Sequence, residues 1–111
     1  MEIKGIGIDI VSISRIETMI STYGDKFLKR VFTEKEIEYG QHFITSSEVF
    51  AGKFAAKEAV MKTIRKTLPF NSIEILNYED GKPYATGYPG ISISISHERE
   101  FAVAMAIEVG E

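Results

Sequence analysis

Apolar and polar positions alternate near both ends of this chain and recur at helical spacing between them. In Ile3-Lys4-Gly5-Ile6-Gly7-Ile8-Asp9-Ile10-Val11, the residues Ile6, Ile8 and Ile10 share one face of a predicted strand, and Gly5, Gly7, Asp9 and Val11 share the other. Ser12 or Ser14 then caps a short helix through about Tyr23, with Ile16, Met19 and Ile20 inward. Asp25 opens a further turn through Arg30. Thr33 and Glu36 stand at capping-box spacing ahead of Ile37, which predicts a helix over 34–42. The clearest helix runs from Ser46 or Ser47 to about Thr67. Its Phe50, Phe54, Met61 and Ile64 recur at spacings of four, seven and three, and Leu68-Pro69 ends it.

Strand signals return afterwards. Residues 72–78 read as a strand, and Asp80-Gly81 supplies a hairpin turn. Lys82-Pro83-Tyr84 leads into a short strand, and Tyr88-Pro89-Gly90 turns the chain again. Ile91 to Ser96 alternates strictly, and Phe101 to Val109 forms a last strand. Strand, several helices, then several strands predicts an α+β fold: an antiparallel sheet packed on one long helix plus shorter helices.

Composition narrows the classes. At 111 residues the chain has the size of a single domain, taken here as residues 1–111. No apolar run approaches the roughly 20 residues of a membrane span. The start, Met1-Glu2-Ile3-Lys4, lacks the pattern of a secretory signal. Zero cysteines exclude disulfide scaffolds and Cys-based metal sites, and fit a cytoplasmic location. The net charge of −3 argues against general nucleic-acid binding. It is uneven, however. Residues 1–66 hold 11 Lys/Arg against 9 Asp/Glu, whereas residues 67–111 hold 2 against 7.

Three positions could carry chemistry. Asp9 shares its strand face with Gly5 and Gly7, which leave open space for a ligand or a second backbone. The plainer reading is an Asp capping the next helix. In Lys53-Phe54-Ala55-Ala56-Lys57-Glu58-Ala59-Val60-Met61-Lys62, the residues Glu58, Lys62 and Arg65 fall in one stripe with Ala51 and Ala55, a shallow groove with a polar floor. The plainer reading is a solvated Glu58–Lys62 pair. His97 continues the face of Ile91, Ile93 and Ile95, where a packing role competes with a binding one. A third glycine for a dinucleotide loop would fall on Ile10, and neither a nucleophile elbow nor a phosphate loop occurs. Only one other His exists, His42, so a His-based zinc site has little support. Two carboxylates without softer ligands suit Mg²⁺, which keeps waters and bridges to phosphate oxygens. Lysines beside them suit a phosphorylated substrate, and the set outlines a phosphoryl-transfer site.

Gly7-Ile8-Asp9-Ile10-Val11 with Arg15-Ile16, Phe54-Ala55-Ala56-Lys57-Glu58-Ala59 with Lys62, and Ser94-Ile95-Ser96-His97 together resemble holo-acyl-carrier-protein synthase, the small single-copy branch of the 4′-phosphopantetheinyl transferases. Phe32-Thr33 with Glu36 adds a weaker match. The resemblance implies transfer of phosphopantetheine from coenzyme A to a serine of apo acyl carrier protein. Adenosine 3′,5′-bisphosphate would be released, Mg²⁺ required and fatty acid biosynthesis served. It implies Asp9 and Glu58 as metal ligands, with Glu58 or a metal-held water taking the serine proton. Lys57 and Lys62 would bind phosphates and offset charge on the leaving group. Lys53 and His97 would sit at the coenzyme A, and Arg15 would face the carrier. Arg15, Lys26, Lys29 and Arg30 could steer an acidic carrier. A homotrimer with sites between subunits is implied too. The pattern departs from the family in two places. Lys53 stands where arginine is common, and no glycine-rich turn follows Lys62, where Arg65 and Lys66 could substitute by charge. A catalytically silent carrier- or nucleotide-binding module on the same fold is the alternative.

Overall fold

The computed structural model describes residues 1–110. Strand β1 (Glu2–Ser12) leads into helices α1 (Ile13–Tyr23), α2 (Asp25–Val31), α3 (Glu34–Gln41) and the long α4 (Ser46–Ile64). After a 3₁₀ turn at Phe70–Ser72 come β2 (Ile75–Asn77), β3 (Pro83–Ala85), β4 (Ile91–His97) and β5 (Phe101–Gly110). An antiparallel sheet has the order β1-β5-β4, and β2 and β3 form a separate antiparallel ribbon. The α+β arrangement with one long helix across the sheet is the one predicted. Among the described residues, no helix is long and apolar enough to cross a membrane.

Local chemistry explains the boundaries. Ser12 caps α1 by accepting from the Arg15 N–H. Thr33 and Glu36 close the predicted capping box on α3. The end of α4 differs from expectation. It stops at Ile64, before Leu68-Pro69, because Arg65 turns into the left-handed region at φ 59° and the Lys66 N–H returns to the Met61 carbonyl. Met19, expected inward, is exposed, whereas Ile16 is buried.

The two faces of β1 reverse the usual reading of an isoleucine row. Ile6, Ile8 and Ile10 are all about 60% exposed, and the glycine face is the packed one. A Cβ at Gly7 would lie 2.1 Å from the Ala59 carbonyl oxygen, and one at Gly5 would lie 2.3 Å from that of Thr63. The space beside Asp9 is therefore filled by a second backbone, that of α4. On β5, Ala106, Ala104 and Ala102 pair with Gly7, Asp9 and Val11 and are fully buried, as are Ala55, Ala56 and Ala59 on α4. Small residues on both surfaces let helix and sheet approach closely.

Candidate active site

The close approach of α4 to β1 sets the geometry. Asp9 projects from the packed face of β1, two residues beyond Gly7. Glu58 and Lys62 lie one turn apart on α4, and Arg15 sits in the first turn of α1. All four, with Phe54 and Met19, line one cavity of about 440 Å³. The Lys62 ammonium lies 3.3 Å from Asp9 Oδ1 and donates to the Ile8 carbonyl at 2.8 Å. Glu58 forms no ion pair or side-chain hydrogen bond among the described residues, so the solvated Glu58–Lys62 pair is not what forms. The expected groove floor is also different. Ala51 and Ala55 are completely buried, and the aromatic side of Phe54 borders the cavity instead.

Lys57, expected at the phosphates, is enclosed. Its side chain has no exposed surface. The ammonium donates to Glu36 Oε1 at 2.6 Å and to the carbonyls of Val31, Ile73 and Phe70 at 2.9, 2.7 and 2.9 Å respectively. Glu36 in turn accepts from the backbone N–H groups of Thr33 and Ile75. Burial pulls the Lys57 ammonium below the usual lysine range, and the Glu36 carboxylate opposes that pull. No donor remains for a ligand, so Lys57 is a structural clasp joining α4 to α2, α3 and the 3₁₀ turn with the residue that follows it. The capping-box spacing revealed Glu36 as a cap. It carried no signal that the same carboxylate would be buried against a lysine.

Lys53 and His97 meet elsewhere, on a second cavity of about 340 Å³ that also includes Tyr39, Glu48 and Asn77. Lys53 donates to the Ile75 carbonyl and to Asn77 Oδ1, both at 2.6 Å, and its ammonium lies 4.7 Å from the centre of the Tyr39 ring. Burial lowers its pKa to about 8, against an upward pull from Glu36. His97 Nδ1 lies 3.5 Å from Glu48 Oε2. Sequence reasoning missed Tyr39, Glu48 and Asn77, which come from three separate elements and have no shared spacing. A third hollow, of about 530 Å³, is bounded by Ile10 and by His97, and so adjoins both cavities. Arg65 and Lys66 face neither carboxylate. They border a fourth hollow with Lys4 and Glu108.

Among the described residues, no group of three or more His, Asp or Glu side chains could hold a metal. Asp9 and Glu58 alone fit an ion that keeps waters and takes further oxygens from a phosphate, as Mg²⁺ does. Asp9 already accepts a cation, the Lys62 ammonium, on the cavity side.

Known proteins share this sequence and fold. The sequence model of the 4′-phosphopantetheinyl transferase superfamily matches residues 5–106. A holo-[acyl-carrier-protein] synthase of Halothermothrix orenii is 40% identical over 95% of this chain and 96% of its own. The crystal structure of a holo-(acyl-carrier-protein) synthase from Bacillus anthracis in complex with coenzyme A (3′,5′-ADP) superposes with a TM-score of 0.85 at 38% identity, covering 96% of both chains. The Helicobacter pylori holo-[acyl-carrier-protein] synthase in complex with coenzyme A gives 0.81 at 32% identity, over 94% of this chain and 99% of that one. With its motifs in place from first strand to last, the chain belongs to the holo-acyl-carrier-protein synthases of the 4′-phosphopantetheinyl transferase superfamily.

Proposed function

We propose that this chain moves the 4′-phosphopantetheine arm of coenzyme A onto a serine of an apo acyl carrier protein, in the cytoplasm, in a Mg²⁺-dependent reaction that supplies fatty acid biosynthesis. The observation that carries the reading is the shared cavity of Asp9, Glu58 and Lys62. Asp9 and Glu58 hold the Mg²⁺, which supplies charge neutralisation at the pyrophosphate when bound. The serine oxygen forms a bond to the phosphorus that bears pantetheine. The bond from that phosphorus to the bridging oxygen breaks, and adenosine 3′,5′-bisphosphate leaves. Lys62 offsets the charge that grows on the departing oxygen. Glu58, free of other partners, or a water beside it takes the serine proton.

Lys53 and His97 hold coenzyme A at the second cavity. Arg15 meets the carrier, with the exposed Lys26, Lys29 and Arg30 of α2 adding positive charge toward an acidic partner. The functional unit is a homotrimer with each site between two subunits. Two features support this. The carboxylate cavity and the Lys53–His97 cavity have no lining residue in common, so a single chain presents them as separate hollows. The outer sheet face is apolar where a neighbour would sit: Ile6, Ile8 and Ile10 lie beside Ile107, Met105 and Val103.

Intact-mass spectrometry of an apo carrier incubated with coenzyme A tests the reading. The carrier gains the mass of phosphopantetheine with Mg²⁺ and does not gain it after chelation. Asp9→Ala reduces the rate by orders of magnitude. A carrier modified at the original rate by Asp9→Ala would remove the metal assignment.

A further inference from the structure

We propose that Lys62 guards Asp9, competing with the divalent ion for the carboxylate until a phosphate group draws the ammonium away. The inference rests on the metal assignment made for Asp9 above. Both acceptors of the Lys62 ammonium, Asp9 Oδ1 and the Ile8 carbonyl, belong to β1. The lysine therefore lies across the strand at the carboxylate that the ion needs. The two partners differ in freedom. The Lys62 side chain is 51% exposed and can leave toward solvent without unpacking anything, whereas that of Asp9 is 18% exposed. Asp9 is held in place because β1 is pressed against α4 at Gly7.

A divalent ion and an ammonium on one carboxylate repel each other. In the ligand-free chain the ammonium neutralises Asp9 and weakens its hold on the ion. A pyrophosphate offers Lys62 more negative charge than one aspartate does, and its arrival frees Asp9. Ion and pyrophosphate then bind with positive coupling, each raising the affinity of the other by the same factor. Lys62 thus has a positioning role before its catalytic one.

Manganese alone, titrated into the whole protein and followed by the electron paramagnetic resonance of the free ion, tests this without turnover. Lys62→Met keeps the aliphatic stem and removes the charge. It is expected to bind manganese about tenfold more tightly than the parent protein when no coenzyme A is present. Arg15→Met removes a positive charge from the same cavity wall but breaks no ion pair, and should gain less than about threefold. Equal affinity in the parent and Lys62→Met would overturn the inference and leave the metal assignment standing. An equal gain in both variants would also overturn it, reducing the effect to general electrostatics. Manganese binding that does not respond to Asp9→Asn would overturn the inference and the assignment together.

Discussion

Lys57 and Glu36 form a 2.6 Å ion pair with neither side chain exposed to solvent. Breaking such a pair leaves a lone buried charge, at a cost of about 3–5 kcal/mol. Lys57→Met and Glu36→Gln should each lower stability by roughly that amount in urea unfolding. The double variant should lose less than the sum of the two, with a coupling of about 1 kcal/mol or more. It should not recover fully, because the Val31, Phe70 and Ile73 carbonyls lose a donor.

The contact between β1 and α4 predicts a contrast between two glycines. Gly7→Ala puts a methyl group 2.1 Å from the Ala59 carbonyl oxygen, so backbone must move. It should cost about 3 kcal/mol or more, and carrier modification should fall with it. Gly52→Ala meets only the Ile95 Cγ2 methyl group, at 3.0 Å. There the better helix propensity of Ala, worth about 1 kcal/mol, offsets the crowding, and stability should stay near that of the parent. Differential scanning calorimetry separates the two.

Much of this architecture was legible in the chain, and its gaps have physical causes. Strand alternation located β1, β4 and β5, and the Thr33–Glu36 spacing located α3. Periodicity located α4 but not the whole of its buried surface, because Lys53, Lys57 and the alanines are buried beside Phe50 and Met61. The adjacent Lys57 and Glu58 both looked available, yet one is enclosed and the other lines a cavity. Nor could alternation tell which face of β1 is inward. Gly5 and Gly7 mark the packed face because they lack side chains, a cue opposite to the hydrophobic one.

The lowered pKa of Lys53 predicts two opposite responses to alkali. Below about pH 8 the ammonium is charged and can meet a phosphate; above it the charge is lost. kcat/KM for coenzyme A should therefore fall as pH rises through about 8. Lys53→Arg should move that decline to higher pH. In the unfolded chain the same lysine titrates near 10.5, so between the two values the unfolded state binds more protons. The contribution of this group to stability should rise with pH across that window, as urea midpoints would register.

The apolar outer sheet face predicts the response to charge. Ile8 stands opposite Met105, and both are exposed. Ile8→Lys or Met105→Lys should break up the proposed trimer into smaller species, seen by light scattering coupled to size exclusion, and should abolish most carrier modification. A parent protein that is monomeric at working concentration would refute the shared-site arrangement.

The clasp around Lys57 has a further consequence for its neighbour in the chain. Successive residues on a helix diverge by about 100°, so fixing the azimuth of one fixes that of the next. One ammonium held by a carboxylate and three carbonyls stops α4 from rolling about its own axis. Glu58 inherits that angular restraint without forming any bond of its own. Its carboxylate can stay unpaired, and ready for a ligand, while its bearing toward Asp9 is set from an adjoining face of the helix.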